Sequence, residues 1–250
     1  MSVGGLVGSN YGIIADCDST STVSGYNTVG GLVGSSPHLI ANCYSTGIVS
    51  GSHTVGGLVG INGTVFHTGS ESWCEVPGSI YGSYSTAGVF ATGSRSGGLV
   101  GLNYPGEINN CYATGSVEGK SNVGGLVGQN SSGLCVGSSI CKCFSTGRVS
   151  GAEYAGGLVG KGGAINCFWD IETSSQTTSA GGTGKTTVQM QTRSTFTNAG
   201  WDFISVWGIG ENQTYPYLRS YSAADINKDH IVNLLDFAII ANDWLEDNRP

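Results

Sequence analysis

The sequence predicts an all-β fold, a right-handed parallel β-helix or solenoid of about six coils, closed by a C-terminal cap and followed by a small α-helical tail. Three observations predict it. The hexapeptide VGGLVG starts at Val3, Val29, Val55 and Val123, with close variants at Ser96 and Ala155. A second motif, IxNC in its commonest form, recurs between successive copies. Gly accounts for 43 of the 250 residues, more than twice the usual share of about 7%. Self-similarity at a fixed period is the mark of an array in which each unit is stable only against its neighbours.

The repeats start at intervals of 26, 26, 41, 27 and 32 residues. The second motif ends at Cys17, Cys43, Ser83, Cys111 and Cys143, with a shifted copy at Cys167. From that position to the next hexapeptide the step is 12, 12, 13, 12 and 12 residues. From the last Gly of the hexapeptide to the Ile of the second motif it is 6, 6, 20, 7, 12 and 5. All the large variation falls in one connection, as expected of stacked coils whose strands stay in register while one corner tolerates insertions.

Within each unit, Val, Ile, Leu, Thr and Tyr alternate with small residues over four to seven positions and Gly ends every run, so the elements are short strands joined by tight turns. The residue before the Cys is Asp16, Asn42, Gly82, Asn110, Lys142 or Asn166. Asn, Asp and Gly tolerate a left-handed backbone, which predicts a corner there. Beyond the corner the period of two puts Cys43, Ser45 and Val49 inside and Tyr44, Thr46 and Ile48 outside. Stacking then predicts an internal ladder of Leu6, Leu32, Leu58, Leu99, Leu126 and Leu158, with Cys17, Cys43, Cys111, Cys143 and Cys167 forming another.

Through residue 219 the chain resembles the GLUG-repeat proteins, on its GGLVG signature and its closing tail of CFWD, GGTGKTT, AGWDF and YPYLR. The resemblance implies a β-solenoid of bacterial surface or secreted type, as in adhesin-like chains and in segments beside the catalytic domain of immunoglobulin A peptidases. It implies no catalytic residues within the repeat.

Eight Cys in a chain of that type suggest crosslinks, but the five ladder cysteines recur where Ser83 substitutes, so they read as small buried side chains. Cys74, Cys135 and Cys141 lie in or beside the long connections and are the disulfide candidates: Cys135 with Cys141, or Cys74 with either. A zinc site lacks His at ligand spacing. The two expanded connections, Ile61 to Ser79 and Gln129 to Ser139, are expected on one face of the third and fifth coils. Phe66, His67, Trp73 and Tyr104 offer an aromatic platform there for sugar rings or a protein, or equally pack the loops onto their own scaffold.

Beyond Lys161 the pattern fails. A Ser/Thr/Gly stretch follows Cys167, and Trp201, Phe203, Trp207, Tyr215 and Tyr217 are available to cover the apolar end of the solenoid. Two short helical turns are expected, with Thr186 and Ser194 as N-caps and Gly200 as a stop. GGTGKTT imitates a phosphate-binding loop but has Ser179 where the first Gly is required, and no buried strand precedes it.

DINKDHIVNLLD, Asp225 to Asp236, carries oxygen ligands at the spacing of an EF-hand-type calcium loop: Asp225, Asn227, Asp229, the Ile231 carbonyl, Asn233 and Asp236. A helix, LLDFAIIANDWL, follows. This EF-hand-like tail resembles one half of a type I dockerin, which implies Ca2+ as cofactor and a cohesin-like or self-associating partner. It departs from that pattern in carrying His230 at the usual Gly position, and in having one unit where a full dockerin has two.

The resulting division is a repeat solenoid at 1–165, a closing segment at 166–219 and a calcium-loop tail at 220–250. Net charge is −7 and the ten Lys and Arg residues form no cluster, so a nucleic-acid partner is not expected. No apolar run is long enough to span a bilayer, and no export signal is read at Met1. The first coil is expected to lack a cap unless the chain is a fragment, the favoured explanation, or stacks on a neighbour. The functional expectation is a non-catalytic extracellular or cell-surface scaffold for adhesion, ligand display or assembly, with a protein or glycan partner. The rival is a carbohydrate-active, polysaccharide-degrading or polysaccharide-binding component, with Glu71 and Glu75 as its only catalytic candidates.

Overall fold

The computed structural model describes residues 1–67, 73–133 and 136–219; for Val65 to His67, Trp73 and Cys74 it describes the backbone alone. These residues form a parallel β-solenoid of about six turns with two short helices. One coil runs through the strands Thr28–Gly30, Val33–Ser36, Leu39–Ala41, Tyr44–Ser45 and Ile48–Gly51 before Thr54–Gly56 begins the next.

Coils stack in the register that the repeats set. Val7, Val33, Val59, Val100, Val127 and Val159 pair in sequence, as do Ile14, Ile40, Ile80, Ile108 and Ile140. Among the described strands only two pairs are antiparallel: Thr64–His67 with Trp73–Val76, and Trp207–Gly208 with Tyr217–Leu218.

The glycines of the signature permit this stacking. A Cβ on Gly56 would collide with the Val59 carbonyl, and one on Gly57 with the Gly98 carbonyl of the adjacent coil. Between these close approaches the Leu side chain turns inward. Leu32, Leu58, Leu99, Leu126 and Leu158 are fully buried in one core cluster with the Ile ladder. Leu6 differs from its expected place: it is 51% exposed, because its coil has a stacking neighbour on one side only.

The corner before the Cys is left-handed in every coil, with φ of 53° at Asp16, 53° at Asn42, 57° at Gly82, 52° at Asn110, 52° at Lys142 and 53° at Asn166. The turn aims the next residue inward. Cys43, Cys111, Cys143 and Cys167 are buried and Cys17 is half-buried against them. Side chains of this ladder also help hold the stack: the backbone N–H of Cys111 donates to Cys143 Sγ at 3.4 Å and that of Cys143 to Cys167 Sγ at 3.3 Å, while that of Cys43 donates to Ser83 Oγ at 3.0 Å.

The segment after Cys167 divides its labour. Trp169 enters the main core cluster, and residues 178–185 lay one more partial turn across the last coil. Gly157 N–H donates to the Thr178 carbonyl at 3.0 Å, Val159 N–H donates to Ser179 Oγ at 2.9 Å, and Thr183–Lys185 pairs with Phe168–Asp170. The helices Thr187–Met190 and Arg193–Thr197 and the chain to Arg219 instead run along the flank of the solenoid. Trp201, Phe203 and Trp207, expected over the end, are buried on that flank against Phe144 and Phe168, and Tyr217 is exposed. Thr186 caps the first helix through a capping box, whereas the second starts after Thr192 and contains Ser194. Gly200, with φ +75°, follows that helix.

Candidate functional site

The connection that varies in length leaves each coil just after a buried polar ladder. Asn62 Nδ2 donates to Asn103 Oδ1 at 2.8 Å, Asn103 Nδ2 to Asn130 Oδ1 at 2.8 Å, and Asn130 Nδ2 to the Gly163 carbonyl at 2.8 Å. In the earlier coils Asn10 Nδ2 donates to Ser36 Oγ at 3.0 Å. Each of these amides donates across an interface between coils, so the ladder fixes the chain where the insertions begin, although Asn62 Oδ1, at the start of the asparagine run, is buried without a hydrogen-bond partner among the described residues.

In the third coil Gly63, at φ +96°, turns the chain outward into the hairpin of Thr64–His67 and Trp73–Val76, where Phe66 lies opposite Cys74 and His67 opposite Trp73. In the fifth coil the insertion is a turn in which Gly133 N–H donates to the Val136 carbonyl at 2.8 Å and Ser138 Oγ donates to the Ser131 carbonyl at 2.6 Å. The two insertions meet. Glu75 Oε2 accepts the Val136 N–H at 2.8 Å, and Gly133 lies so close that a Cβ there would strike the Glu75 carboxylate. The fourth coil, between them, turns through Tyr104 and Pro105, and Tyr104 is half-buried. One ridge therefore crosses three coils.

The other expected residues are placed as follows. Phe66, His67, Trp73 and Cys74 share the hairpin backbone. Cys141 ends a strand of the fifth coil as a half-buried free thiol. Cys135, Glu71 and all six calcium-ligand candidates, Asp225, Asn227, Asp229, Ile231, Asn233 and Asp236, lie outside the described residues. Among the described residues no three His, Cys, Asp or Glu side chains converge as a metal site. Burial pushes the Cys143 thiol well above its ordinary range, and its contacts with Cys111 and Cys167 act in the same direction. Such a thiol is neither nucleophile nor ready metal ligand.

Two features of the outer surface escaped the sequence reading. The residue after each corner Cys or Ser is aromatic in five coils, and Tyr44, Tyr84, Tyr112 and Phe144 stack with ring centroids 5.0, 4.8 and 5.0 Å apart. The flank segment covers the later part of this stack: Trp207, fully buried, packs on Tyr112 and Phe144, and its Nε1 donates to Asn110 Oδ1 at 3.2 Å. Tyr44 and Tyr84 border a groove shared with Leu218 and Arg219. The signal was present as an aromatic after every corner from Cys43 to Cys167.

The GLUG motif matches residues 1–24 and 92–118. The chain is a β-solenoid that carries the GLUG motif. A relative in Evansella cellulosilytica, named "Putative Gly-rich membrane protein", is 34% identical over 143 residues, which are 56% of this chain and 14% of that protein. The chain thus spans about one seventh of the length of the curated relative it matches. A crystal structure titled as a putative immunoglobulin A1 protease from Bacteroides ovatus superposes with a TM-score of 0.57 at 22% identity, covering 86% of this chain and 74% of that one. This likeness is one of fold. Among the described residues no helix is long and apolar enough to cross a membrane, which leaves strand-based spanning untouched.

Proposed function

We propose that the chain is a non-catalytic repeat scaffold at the cell exterior, which displays the ridge of the third and fifth coils to a protein or glycan and is tethered through a calcium-binding C-terminal segment. The observation that carries this reading is the joining of the two insertions through Glu75 and Val136. Independent loops would not need a shared clasp, whereas a binding face must hold its parts at fixed spacing.

Three carboxylates, two Asn side chains and a carbonyl between Asp225 and Asp236 form a donor set of hard oxygens suited to Ca2+. Such a segment would supply the tether, with a cohesin-like module or a second copy as its partner. Cys74, Cys135 and Cys141 are the thiols available to lock the ridge covalently. The test is molar mass in solution by light scattering, first with calcium and then with chelator. A calcium-dependent rise above 25.6 kDa, abolished by Asp225→Ala with Asp236→Ala, is the result expected for self-association. A calcium-independent monomer that also ignores a cohesin module would overturn the tether.

A further inference from the structure

A second surface lies on the wall built from the strands that follow the aromatic stack. In register across the coils the outward residues there are Ser24, Ser50, Phe90 and Glu118. The next outward row contains Tyr26, Ser52 and Thr92. Most positions in both rows are small. Two are aromatic and well exposed, Tyr26 at 71% and Phe90 at 44%.

Between these two rings runs a shallow trough floored by Ser50, Ser52 and Thr92, with Glu118 at one end. Thr92 Oγ1 donates to Ser52 Oγ at 3.4 Å, so the floor presents a linked pair of hydroxyls. His53 packs at 5.6 Å from the Tyr26 ring and supports it from the side. Tyr26 belongs to the coil before Ser52 and Phe90 to the coil after Ser50. The rings are therefore separated by two stacking steps, roughly 10 Å along the axis at the usual strand spacing. That leaves room for one saturated six-membered ring between the two side chains, which line the same trough.

The chemistry selects among occupants. Gly25, Gly51 and Ala91 line the trough beside the hydroxyl side chains, so its two aromatics stand apart over small residues and form no contiguous large apolar centre of the kind a protein partner buries. They suit a ligand with apolar C–H faces and hydroxyl edges. No basic side chain lines the trough and the chain carries net charge −7, so an anionic ligand meets repulsion and no counter-charge. Glu118 is an acceptor for hydroxyl donors. We propose that this trough binds a neutral carbohydrate chain, seating one pyranose ring against Tyr26 and Phe90 with its hydroxyls on Ser50, Ser52, Thr92 and Glu118. This gives the repeat wall itself a ligand class, separately from the ridge.

The experiment uses the full chain with calcium present, in affinity electrophoresis and titration against soluble β-glucan, xylan, mannan, galactan and polygalacturonate. Retention by at least one neutral polymer is expected. Tyr26→Ala and Phe90→Ala should each weaken it roughly tenfold or more, as truncation of a central aromatic contact does, while Ile204→Ala, at an exposed position of the flank segment, leaves it unchanged. Both trough residues are exposed, and unaltered thermal unfolding of the variants checks that the coils remain intact. No retention by any neutral polymer, preference for polygalacturonate, or retention that survives both trough substitutions would overturn the proposal. If Trp73→Ala alone abolishes retention, the trough reading falls and display by the ridge stands.

Discussion

Replacing Trp207 by Ala separates the flank segment from the coils it covers. Trp207 is fully buried, touches Tyr112, Phe144 and Trp201, and gives its only N–H of the side chain to Asn110, itself 7% exposed. Truncation of a buried Trp costs about 3–5 kcal/mol, and stranding the Asn110 oxygen adds about 1 kcal/mol or more. The segment has little of its own with which to absorb this loss. Its helices contain four and five residues, far below the length at which a helix persists alone, and its one strand pair is two residues long. The expected outcome is local release: amide exchange at residues 187–210 approaches that of an open chain, and trypsin gains access at Arg193 and Arg219. Exchange at Leu32, Leu58 and Leu99 stays slow, because their ladders connect coils and not the cover. Trp207→Phe, which keeps a six-membered aromatic ring but loses the pyrrole half and the hydrogen bond, should cost less, roughly 2–3 kcal/mol. Hydrogen exchange read by mass spectrometry decides the matter. Equal acceleration in the second coil and in the flank would refute the separation of the two layers.

Tyr215 donates its hydroxyl to Asp170 Oδ2 at 2.7 Å, and burial together with that carboxylate pushes its pKa up to about 12. The unfolded phenol titrates near 10, so the folded state holds this proton more tightly; its stabilisation is complete below pH ~10 and is lost as pH rises towards 12. Alkaline titration followed by Trp fluorescence should show the flank opening in that window, and Tyr215→Phe should diminish the pH step while lowering stability at pH 7, the remainder coming from Tyr112, whose phenol is also pushed up by burial. Lys142 holds φ 52° where its equivalents are mostly Asn; Lys142→Asn relieves part of the roughly 1–2 kcal/mol cost of that backbone and should raise Tm by a few degrees in a thermal scan. Cys143→Ser should fold with a loss of about 1 kcal/mol, since Ser83 already occupies the equivalent place with its Oγ accepting from Cys43 N–H; a loss above roughly 3 kcal/mol in denaturant unfolding would count against equivalence of the sites.

The parts of the fold visible in the sequence are those that repeat. Close backbone approach demands Gly in every coil, and the left-handed corner demands Asn, Asp or Gly in most of them, so each constraint is written six times and survives local exceptions such as Lys142. The flank segment is written once. Trp201, Phe203 and Trp207 announce a buried cluster, yet nothing in their spacing distinguishes the open end of a solenoid from its side; that choice depends on the aromatic stack of Tyr112, Phe144 and Phe168, assembled from residues 24 or more positions apart. The Glu75 contact was invisible for a similar reason: a carboxylate in one loop and a backbone N–H in another leave no pattern. The trough was missed because Tyr26 and Phe90 occupy different places in their units, and become neighbours only across a coil of serines.

The segment from Thr187 to Arg219 also changes how the molecule bears load. A bare stack pulled along its axis parts one interface at a time, each held by a few parallel hydrogen bonds. Here the cover joins Asp170 near the closed end, through Thr187 and Tyr215, to Asn110 two coils earlier, through Trp207, and reaches the Tyr44 and Tyr84 coils at Leu218 and Arg219. Force applied between those coils is shared by a strap laid across several interfaces, so the part of the array that it covers should rupture as a block.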